Sequence, residues 1–378
     1  MNKIVLIFVP CLIAILAVWL HFSPVGEDQV LEESSFSSPL TADSEGFAKV
    51  LEPRPFLFPE DHGAHDDYRS EWWYFTGNLE DPNGRRFGYQ LTFFRFALAP
   101  NSIESQSAWR DRQLYMAHFT VTDVEEQRFH SAERFSRTAL DLAGARNDRF
   151  QVWLHDWSAE GINGGIFPMR LKAEHEDIAI DLLLNSQKPL VLQGDRGFSQ
   201  KSDKPGNASY YYSYTRLSSE GSVSIDGQSF PVTGSSWMDR EWSTSALSED
   251  QAGWDWFSLQ LSDDTELMVY QLRLKDGGID PHSSGTLIPA QSGPLALQVD
   301  DVKIEVLDEW TSPHSKRTYP SRWRLTIPKQ QLQLEVEPLL NDQELNLAFR
   351  YWEGAASVTG THHGQQVTGF GYVELTGY

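Results

Sequence analysis

Residues 72–91 read WWYFTGNLEDPNGRRFGYQL, two apolar runs that are joined by a short polar link. Asn83-Gly84 lies in this link, and an Asn-Gly pair between alternating apolar runs is the strongest short-range sign of a β-hairpin. Residues 254–272 read WDWFSLQLSDDTELMVYQL and have the same plan. We therefore predict two antiparallel hairpins of similar construction.

The two hairpins match position by position, which indicates an internal repeat. With Trp72 set on Trp254, the other matches are Tyr74 on Trp256, Phe75 on Phe257, Leu79 on Leu261, Asp81 on Asp263 and, after one deletion in the turn, Tyr89-Gln90-Leu91 on Tyr270-Gln271-Leu272. The repeat predicts two tandem copies of one β-domain, at residues 53–235 and 236–378. The alternative is that two unrelated aromatic hairpins resemble each other.

Apolar side chains alternate with polar ones along most of the chain beyond residue 53, and helical periodicity is nearly absent. Alternation places on one face Ile178, Ile180, Leu182 and Leu184 of DIAIDLLLNS, and Leu332, Leu334 and Val336 of LQLEVEPLL. Many short strands of this kind predict an all-β protein made of sandwiches or barrels.

Composition excludes several classes of protein. The chain of 378 residues carries a net charge of −22, so its surface repels phosphate backbones and nucleic-acid binding is excluded. The single cysteine, Cys11, excludes an internal disulfide and a cysteine-based zinc cluster. The 13 Trp residues favour a folded protein with large apolar contact surfaces, and no cofactor is predicted.

The N-terminus differs from the remainder. Residues 1–22 read MNKIVLIFVPCLIAILAVWLHF, with one Lys ahead of a long apolar run. We predict an uncleaved signal-anchor helix, with a cleaved signal peptide as the alternative. Residues 23–52 are rich in Ser, Glu and Pro and are predicted to form a flexible tether. The expected location is the periplasmic side of the inner membrane, because the acidic segment after the run suits the non-cytoplasmic side.

Residues 235–243, SSWMDREWS, place charges among large aromatic side chains. In a strand, alternation sends Trp237, Asp239 and Glu241 to one face and Met238, Arg240 and Trp242 to the other. Whichever face is buried carries a charge, which is costly unless that charge is paired. The segment therefore holds either an ion pair of its acids with a nearby Arg, locking the domains together, or a working acid.

Eight motifs spread over residues 55–378 resemble the AttH / carotenoid 1,2-hydratase (CrtC-like) family: EWWYFTGNL, MAHFTVTD, GDRGFSQKS, SYYYSYTRL, SSWMDREWS, GWDWFSLQL, YWEGAASVTG and GFGYVELTGY. The resemblance implies two lipocalin-like β-barrel domains with a ligand cavity within or between them. Related members add water to a carotenoid double bond, and distant fungal ones are pericyclases. Many bacterial members are described as secreted hydrolases or lipocalin-like proteins, and some are encoded beside export transporters, which implies ABC-type transporter components as partners.

The resemblance also implies a site. Protonation of an isolated double bond requires a carboxylic acid whose pKa is raised in a dry pocket, and aromatic faces stabilise the cation that forms. The family's acid is carried to Asp239, with Asp255 as a competitor and His118 as a partner for the acid or for water. The predicted binding residues for an apolar isoprenoid, polyene or lipid are Trp73, Tyr74, Tyr212, Trp237, Trp242, Trp254 and Trp256.

Other functions stay open at this point. A lipocalin-like carrier needs no catalytic group, and it would hold the same ligand without reacting. A secreted hydrolase is disfavoured, because the Gly-x-Ser-x-Gly elbow of α/β-hydrolases is absent from the sequence. His62 and His65 lie close to three Asp residues in DHGAHDD, a pattern more typical of a solvated loop than of a metal site, so no metal is predicted. His65 is expected to line the rim of the cavity.

Overall fold

The computed structural model describes residues 45–100, 112–245 and 247–378, and all of these belong to one compact unit. The predicted anchor at residues 1–22 and most of the predicted tether lie outside these ranges. Over the ranges described, no helix has both the length and the apolar character needed to cross a membrane. The described chain consists of β-strands, loops and short 3-10 turns, so the all-β prediction is confirmed.

The first sheet is antiparallel and barrel-like, with the order β4-β3-β2-β1-β13-β12-β9-β8-β7-β6-β5, and β10 and β11 also pair with β12. Its strands are β1 (Ser70–Glu80), β2 (Arg86–Ala97), β3 (Gln113–Asp123), β4 (Arg128–Arg137), β5 (Ala143–Arg146), β6 (Gln151–Leu154), β7 (Trp157–Gly161), β8 (Met169–His175), β9 (Ile178–Ser186), β10 (Val191–Leu192), β11 (Phe198–Gln200), β12 (Ala208–Ile225) and β13 (Gln228–Ser243). Strand β13 crosses the predicted domain boundary at residue 235 and belongs to this sheet throughout. How the chain divides into folding domains stays a prediction.

The second sheet is also antiparallel and barrel-like, with the order β17-β16-β15-β14-β23-β22-β20-β19-β18, and β21 also pairs with β22. Its strands are β14 (Gln251–Leu261), β15 (Glu266–Leu274), β16 (Ser284–Ile288), β17 (Leu295–Gln298), β18 (Lys303–Thr311), β19 (Thr318–Ile327), β20 (Leu332–Pro338), β21 (Glu344–Asn346), β22 (Arg350–His362) and β23 (Gln365–Leu375).

Each sheet fills its own interior with alternate side chains of its strands. The predicted apolar faces of β9 and β20 are buried in the first and second cores, respectively. Phe75 and Met238 also enter the first core, and Phe257 enters the second. Burial of one such side chain contributes about 1.5–3 kcal/mol, so the alternation holds each strand with the same face inward.

A third apolar cluster lies between the two sheets, built from the opposite faces of the same strands. It contains Tyr74, Tyr211, Trp237, Leu247, Trp256, Met268, Tyr270, Leu272, Ala355 and Tyr372. The sheets approach closely here, because a Cβ placed on Gly88 of β2 would lie 2.5 Å from the Cβ of Ala355 in β22. Tyr74 and Trp256 both face this cluster, as the repeat predicts for equivalent positions.

The first hairpin has the predicted Asn-Gly turn between β1 and β2. Gly84 adopts a φ of +87°, which favours glycine, and Asp81 Oδ1 accepts the backbone N–H groups of Asn83 and Arg85 at 2.8 and 2.9 Å. A side chain thus fixes the turn at the position where the sequence predicts it.

The backbone pairing contradicts the predicted alignment of the two hairpins. The last cross-strand pairs, Glu80–Arg86 and Gln260–Glu266, enclose turns of five residues each, so no residue is deleted in the second turn. In this register Tyr89 corresponds to Val269 and not to Tyr270. The error arises because identical Tyr-Gln-Leu letters were matched, whereas backbone pairing sets the register.

Candidate active site

An aromatic pocket lies where the outer faces of the two sheets meet. Space open to the centres of water molecules amounts to about 80 Å³, enough for a few waters or for the end of a slender apolar chain. Its lining residues are Trp72, Tyr74, Phe94, Lys201, Tyr211, Asp239, Glu241, Leu247, Trp254, Trp256, Tyr270, Leu272, Tyr351 and Glu374. Both sheets contribute side chains, so neither sheet forms the pocket by itself.

Asp239 of β13 lies in the wall of this pocket and is only 3% exposed. Its Oδ1 accepts hydrogen bonds from Ser213 Oγ at 2.5 Å and from Trp237 Nε1 at 2.7 Å, and its Oδ2 accepts one from Tyr211 Oη at 2.6 Å. Burial raises the pKa of Asp239 to about 7, although the three hydrogen bonds favour the charged form and act in the opposite direction. Asp239 can therefore exchange a proton near neutral pH.

Glu241 lies on the same face of β13 and forms an ion pair with Lys201, whose Nζ is 3.3 Å from Glu241 Oε1. Ser209 Oγ also donates to this carboxylate, and the Lys201 ammonium lies 4.1 Å from the centre of the Tyr270 ring. Burial acts to lower the pKa of Lys201, but the charge of Glu241 and the interaction with Tyr270 raise it overall. Lys201 is the cation among the lining residues, and this pairing occupies it.

Glu374 of β23 brings a third carboxyl group to the pocket from the second sheet. It is half-buried, and its Oε1 accepts a hydrogen bond from Trp254 Nε1 at 2.8 Å. Burial raises the pKa of Glu374 to about 8; the hydrogen bond from Trp254 opposes the shift, and the charges of Glu241 and Asp239 add to it. Glu374 thus holds its proton at neutral pH.

A fourth carboxyl group, Glu353 of β22, is fully buried directly across the ladder from Glu374. Tyr74 Oη donates to its Oε1, whereas Oε2 is buried and has no hydrogen-bond partner among the residues that the structure describes. Burial raises the pKa of Glu353 well above its ordinary value, and any negative charge on Glu374 would add to this shift. Sequence reasoning missed both glutamates, although each is a lone acid among apolar residues, in the motifs YWEGAASVTG and GFGYVELTGY.

Three predicted binding residues, Tyr74, Trp254 and Trp256, line the pocket. A fourth, Trp237, lies behind the wall, where it donates to Asp239 and packs with its ring centre 6.3 Å from that of Trp256. The negative ring faces of the lining tryptophans and tyrosines are suited to a positive centre on a ligand.

Three other predicted binding residues face away from the pocket in the structure. Trp73 is buried in the first core, and Tyr212 and Trp242 lie in a separate aromatic cluster on that side of the sheet. Their chain neighbours Trp72 and Tyr211 line the pocket instead. The predicted segments border the pocket, but a shift of one residue along a strand moves a side chain to the opposite face.

His65 does not line the pocket either. Its ring stacks on that of Trp242, with the centres 3.9 Å apart, and its two ring nitrogens lie 3.1 Å from Glu71 and 3.0 Å from Asp61. The nearby His62 contacts the Tyr212 hydroxyl through Nδ1 at 2.6 Å. The histidines of DHGAHDD are therefore part of the packing on the far side of the first sheet.

Two predicted catalytic residues lie outside the lining. Asp255 faces the other way, accepting from Arg273 Nε at 2.9 Å and from Tyr378 Oη at 2.8 Å, so its contacts are those of a structural ion pair. His118 is fully buried and contacts two lining residues of the pocket: its Nδ1 lies 2.7 Å from the Tyr351 hydroxyl, and its ring centre lies 5.3 Å from that of Phe94. We retain His118 as a residue that positions Tyr351.

The ion pair and the acid that SSWMDREWS suggested as alternatives occur on opposite faces of β13. Arg240 pairs with Glu71, which also pairs with Arg95, and all three side chains are fully buried. Arg240 thus pairs with neither Asp239 nor Glu241, the acids of the pocket face. The segment therefore contains both features: an ion network on the core side and a buried acid on the side of the pocket.

Comparison with known proteins gives a consistent family assignment. A family model described as AttH-like matches residues 49–378. Among solved structures, an AttH protein from Nitrosomonas europaea is 38% identical with a TM-score of 0.78, and the match covers 88% of this chain and 100% of that one.

A named enzyme appears among the more distant relatives. The structure of kievitone hydratase from Nectria haematococca has a TM-score of 0.66 at 16% identity, covering 88% of this chain and 98% of that one. The curated kievitone hydratase of Fusarium solani subsp. phaseoli is 23% identical over 228 residues, 56% of this chain. The match spans 60% of the length of that relative. At these identities the likeness shows a common fold.

Proposed function

The chain belongs to the AttH-like family, and from this premise we propose that it binds an apolar isoprenoid, polyene or lipid and adds water to one of its double bonds. The reaction is the acid-initiated hydration of an alkene, which makes the protein a hydro-lyase. Kievitone hydratase among the relatives supports this class of reaction, although a shared fold alone does not establish an activity.

One observation carries the proposal: carboxyl groups with raised pKa values line an aromatic pocket. Asp239 and Glu374 both border the cavity, and their pKa values are raised to about 7 and about 8. A carboxylic acid that is neutral near the working pH can protonate an alkene, which an exposed carboxylate cannot do. The faces of Trp254 and Trp256 then stabilise the tertiary cation until water adds to it.

The lining disfavours the hydrolase alternative. No Ser, Thr or Cys is among the side chains that border the described pocket, so the wall offers no aliphatic hydroxyl and no thiol as a nucleophile beside its acids. The carrier alternative needs only the apolar walls. It differs from the hydratase in one testable respect, because Asp239→Asn should abolish hydration while leaving binding of an apolar ligand intact.

The test is to incubate the purified protein with kievitone, an acyclic carotene and a short isoprenoid in oxygen-18-labelled water. Mass spectrometry should show a product heavier by one labelled water, and Asp239→Asn should reduce its formation at least about 100-fold. Asp255→Asn is the matched control, because that acid lies outside the pocket, and it should retain activity. Tight binding of these compounds without any labelled product would instead identify a carrier.

Location and partners complete the proposal. We place the protein on the periplasmic side of the inner membrane, tethered by residues 1–22 or released by their cleavage, where it could pass its ligand to ABC-type transporter components. The apolar N-terminal run supports this placement. Cell fractionation of the full chain, beside a variant that lacks residues 1–22, tests it: the full chain should sediment with the inner membrane if the segment is retained and appear in the periplasm if it is cleaved. Recovery of both forms in the cytoplasm would contradict the placement.

A further inference from the structure

The hydrogen bonds around Asp239 fix which form of this carboxyl group the pocket favours. Trp237 Nε1 and Ser213 Oγ donate to Oδ1, and Tyr211 Oη donates to Oδ2. The Tyr211 oxygen also accepts Trp256 Nε1 at 3.2 Å, and an indole N–H can only donate. The single hydroxyl hydrogen of Tyr211 is therefore directed at Asp239. Donors occupy both oxygens of Asp239, an arrangement that suits a carboxylate.

Glu374 has the opposite environment. Trp254 Nε1 makes the one hydrogen bond that this carboxyl group receives from the described part of the chain, and it goes to Oε1. Oε2 is left to carry a proton. The groups that face Glu374 are mostly acidic: Asp239 and Glu241 from β13, and Glu353 from β22.

The remaining groups near Glu374 do not offset this negative charge. The Lys201 ammonium is paired with Glu241 at 3.3 Å, and Tyr351 contributes a neutral phenol to the same wall. Burial raises the pKa of both carboxyl groups, to about 7 for Asp239 and about 8 for Glu374. The hydrogen bonds distinguish them: three donors stabilise the charged form of Asp239 and one that of Glu374, so we expect Asp239 to lose its proton first.

We propose that Glu374 is the proton donor of this pocket and that Asp239 is the anion facing it, which accepts the proton that the attacking water loses. This assignment rests on the proposed hydration, and it reverses the role that the sequence suggests for Asp239. The two carboxyl groups come from different sheets, so a ligand between them is approached by an acid from one wall and by a base from the other.

The assignment balances as a reaction. The proton on Glu374 Oε2 adds to the less substituted carbon of the double bond, leaving a tertiary cation and a Glu374 carboxylate. The oxygen of water bonds to the cationic carbon, and Asp239 takes the proton that this water releases. One proton has left Glu374 and one has reached Asp239, and its return through pocket water restores the starting state.

The location of the proton can be measured without any substrate. Infrared difference spectra of the full chain against its variants, recorded at a pH between 7 and 8, resolve the C=O stretch of a protonated carboxyl group from the bands of carboxylates. We expect Glu374→Gln to remove such a band and Asp239→Asn to leave it in place. Glu353→Gln identifies the contribution of the neighbouring glutamate, and Glu335→Gln, at an exposed ion pair of β20, is the control that should change nothing.

A band that disappears in Asp239→Asn and persists in Glu374→Gln would overturn the assignment. With an alkene that the protein hydrates, Glu374→Gln should lower kcat at least about 100-fold, and Glu374→Asp, which keeps an acid, should recover part of the loss. Glu374→Gln that is folded and as active as wild type would also overturn it. If the proton is found on Glu374 but no alkene reacts, the proposed hydration fails while the location of the proton stands.

Discussion

Replacing Glu71 by Gln should lower the free energy of unfolding by about 3–5 kcal/mol, the usual cost of removing one partner from a buried ion pair. Glu71 is fully buried, and its carboxylate faces the guanidinium groups of Arg95 and Arg240, which are also fully buried. Gln keeps the volume and one acceptor oxygen, so the change removes little besides the charge. The guanidinium groups of Arg95 and Arg240 would then have no carboxylate between them to balance their charge.

The structure also indicates why the loss should not reach twice that value. Arg95 keeps hydrogen bonds to the backbone oxygens of His65 and Tyr68, and Arg240 keeps one to the backbone oxygen of Gly63. The two ion pairs share one carboxylate, so their contributions are not additive.

The assay is urea unfolding followed by tryptophan fluorescence, with Asp226→Asn as the control. Asp226 forms an ion pair with Arg128 in which both side chains are about half exposed, so solvent screens the pair and its loss should change the stability little. If Glu71→Gln proves no more destabilising than this control, the argument that the buried carboxylate compensates the two arginines is wrong.

The pH dependence gives a second check on Glu71. Burial acts to raise its pKa, but the charges of Arg95 and Arg240 lower it well below its ordinary value of 4.5. Its contribution is therefore fully present above the pKa of the unfolded chain and is lost as the pH falls below it. The stability difference between wild type and Glu71→Gln should narrow on acidification, and a difference that stays constant would contradict this mechanism.

Two further predictions concern the contact between the sheets and the buried His62 on the far side of the first sheet. Gly88→Ala should destabilise the protein by about 1–3 kcal/mol in urea unfolding, because the new Cβ would meet Ala355 at 2.5 Å, whereas Gly293→Ala, which meets nothing within 4 Å, should be neutral. Burial lowers the pKa of His62 to about 4, so the unfolded chain takes up its proton first and stability should fall between pH 6.5 and 4 by up to about 1.4 kcal/mol per unit. His62→Asn should flatten this slope, and an unchanged slope would show that His62 does not cause it.

Much of the fold could be predicted from local pattern. The Asn83-Gly84 turn, the buried faces of β9 and β20 and the division of SSWMDREWS into two faces all agree with the structure. Each depends on the two-residue period of a strand or on the conformation of a turn, and both properties are carried by adjacent residues.

The site could be predicted only in part. Asp239, Tyr74, Trp254 and Trp256 were expected and border the pocket. Trp73, Tyr212 and Trp242 lie one residue away from the positions of their strands that face it. Alternation divides a strand into two faces without showing which face meets another sheet. Where both faces are buried and aromatic, as they are around Trp73, the pattern offers no further signal.

The sequence by itself determined the strands, the turns and the composition of each strand face, because these follow from neighbouring residues. The tertiary structure decided which faces meet across the two sheets, and with them the pairing of Asp239 with Glu374 in one cavity. These residues come from strands of different sheets, and only the register of those sheets and their packing face to face bring the two carboxyl groups together. The raised pKa values follow from the same packing, since burial and neighbouring charge are properties of the assembled fold.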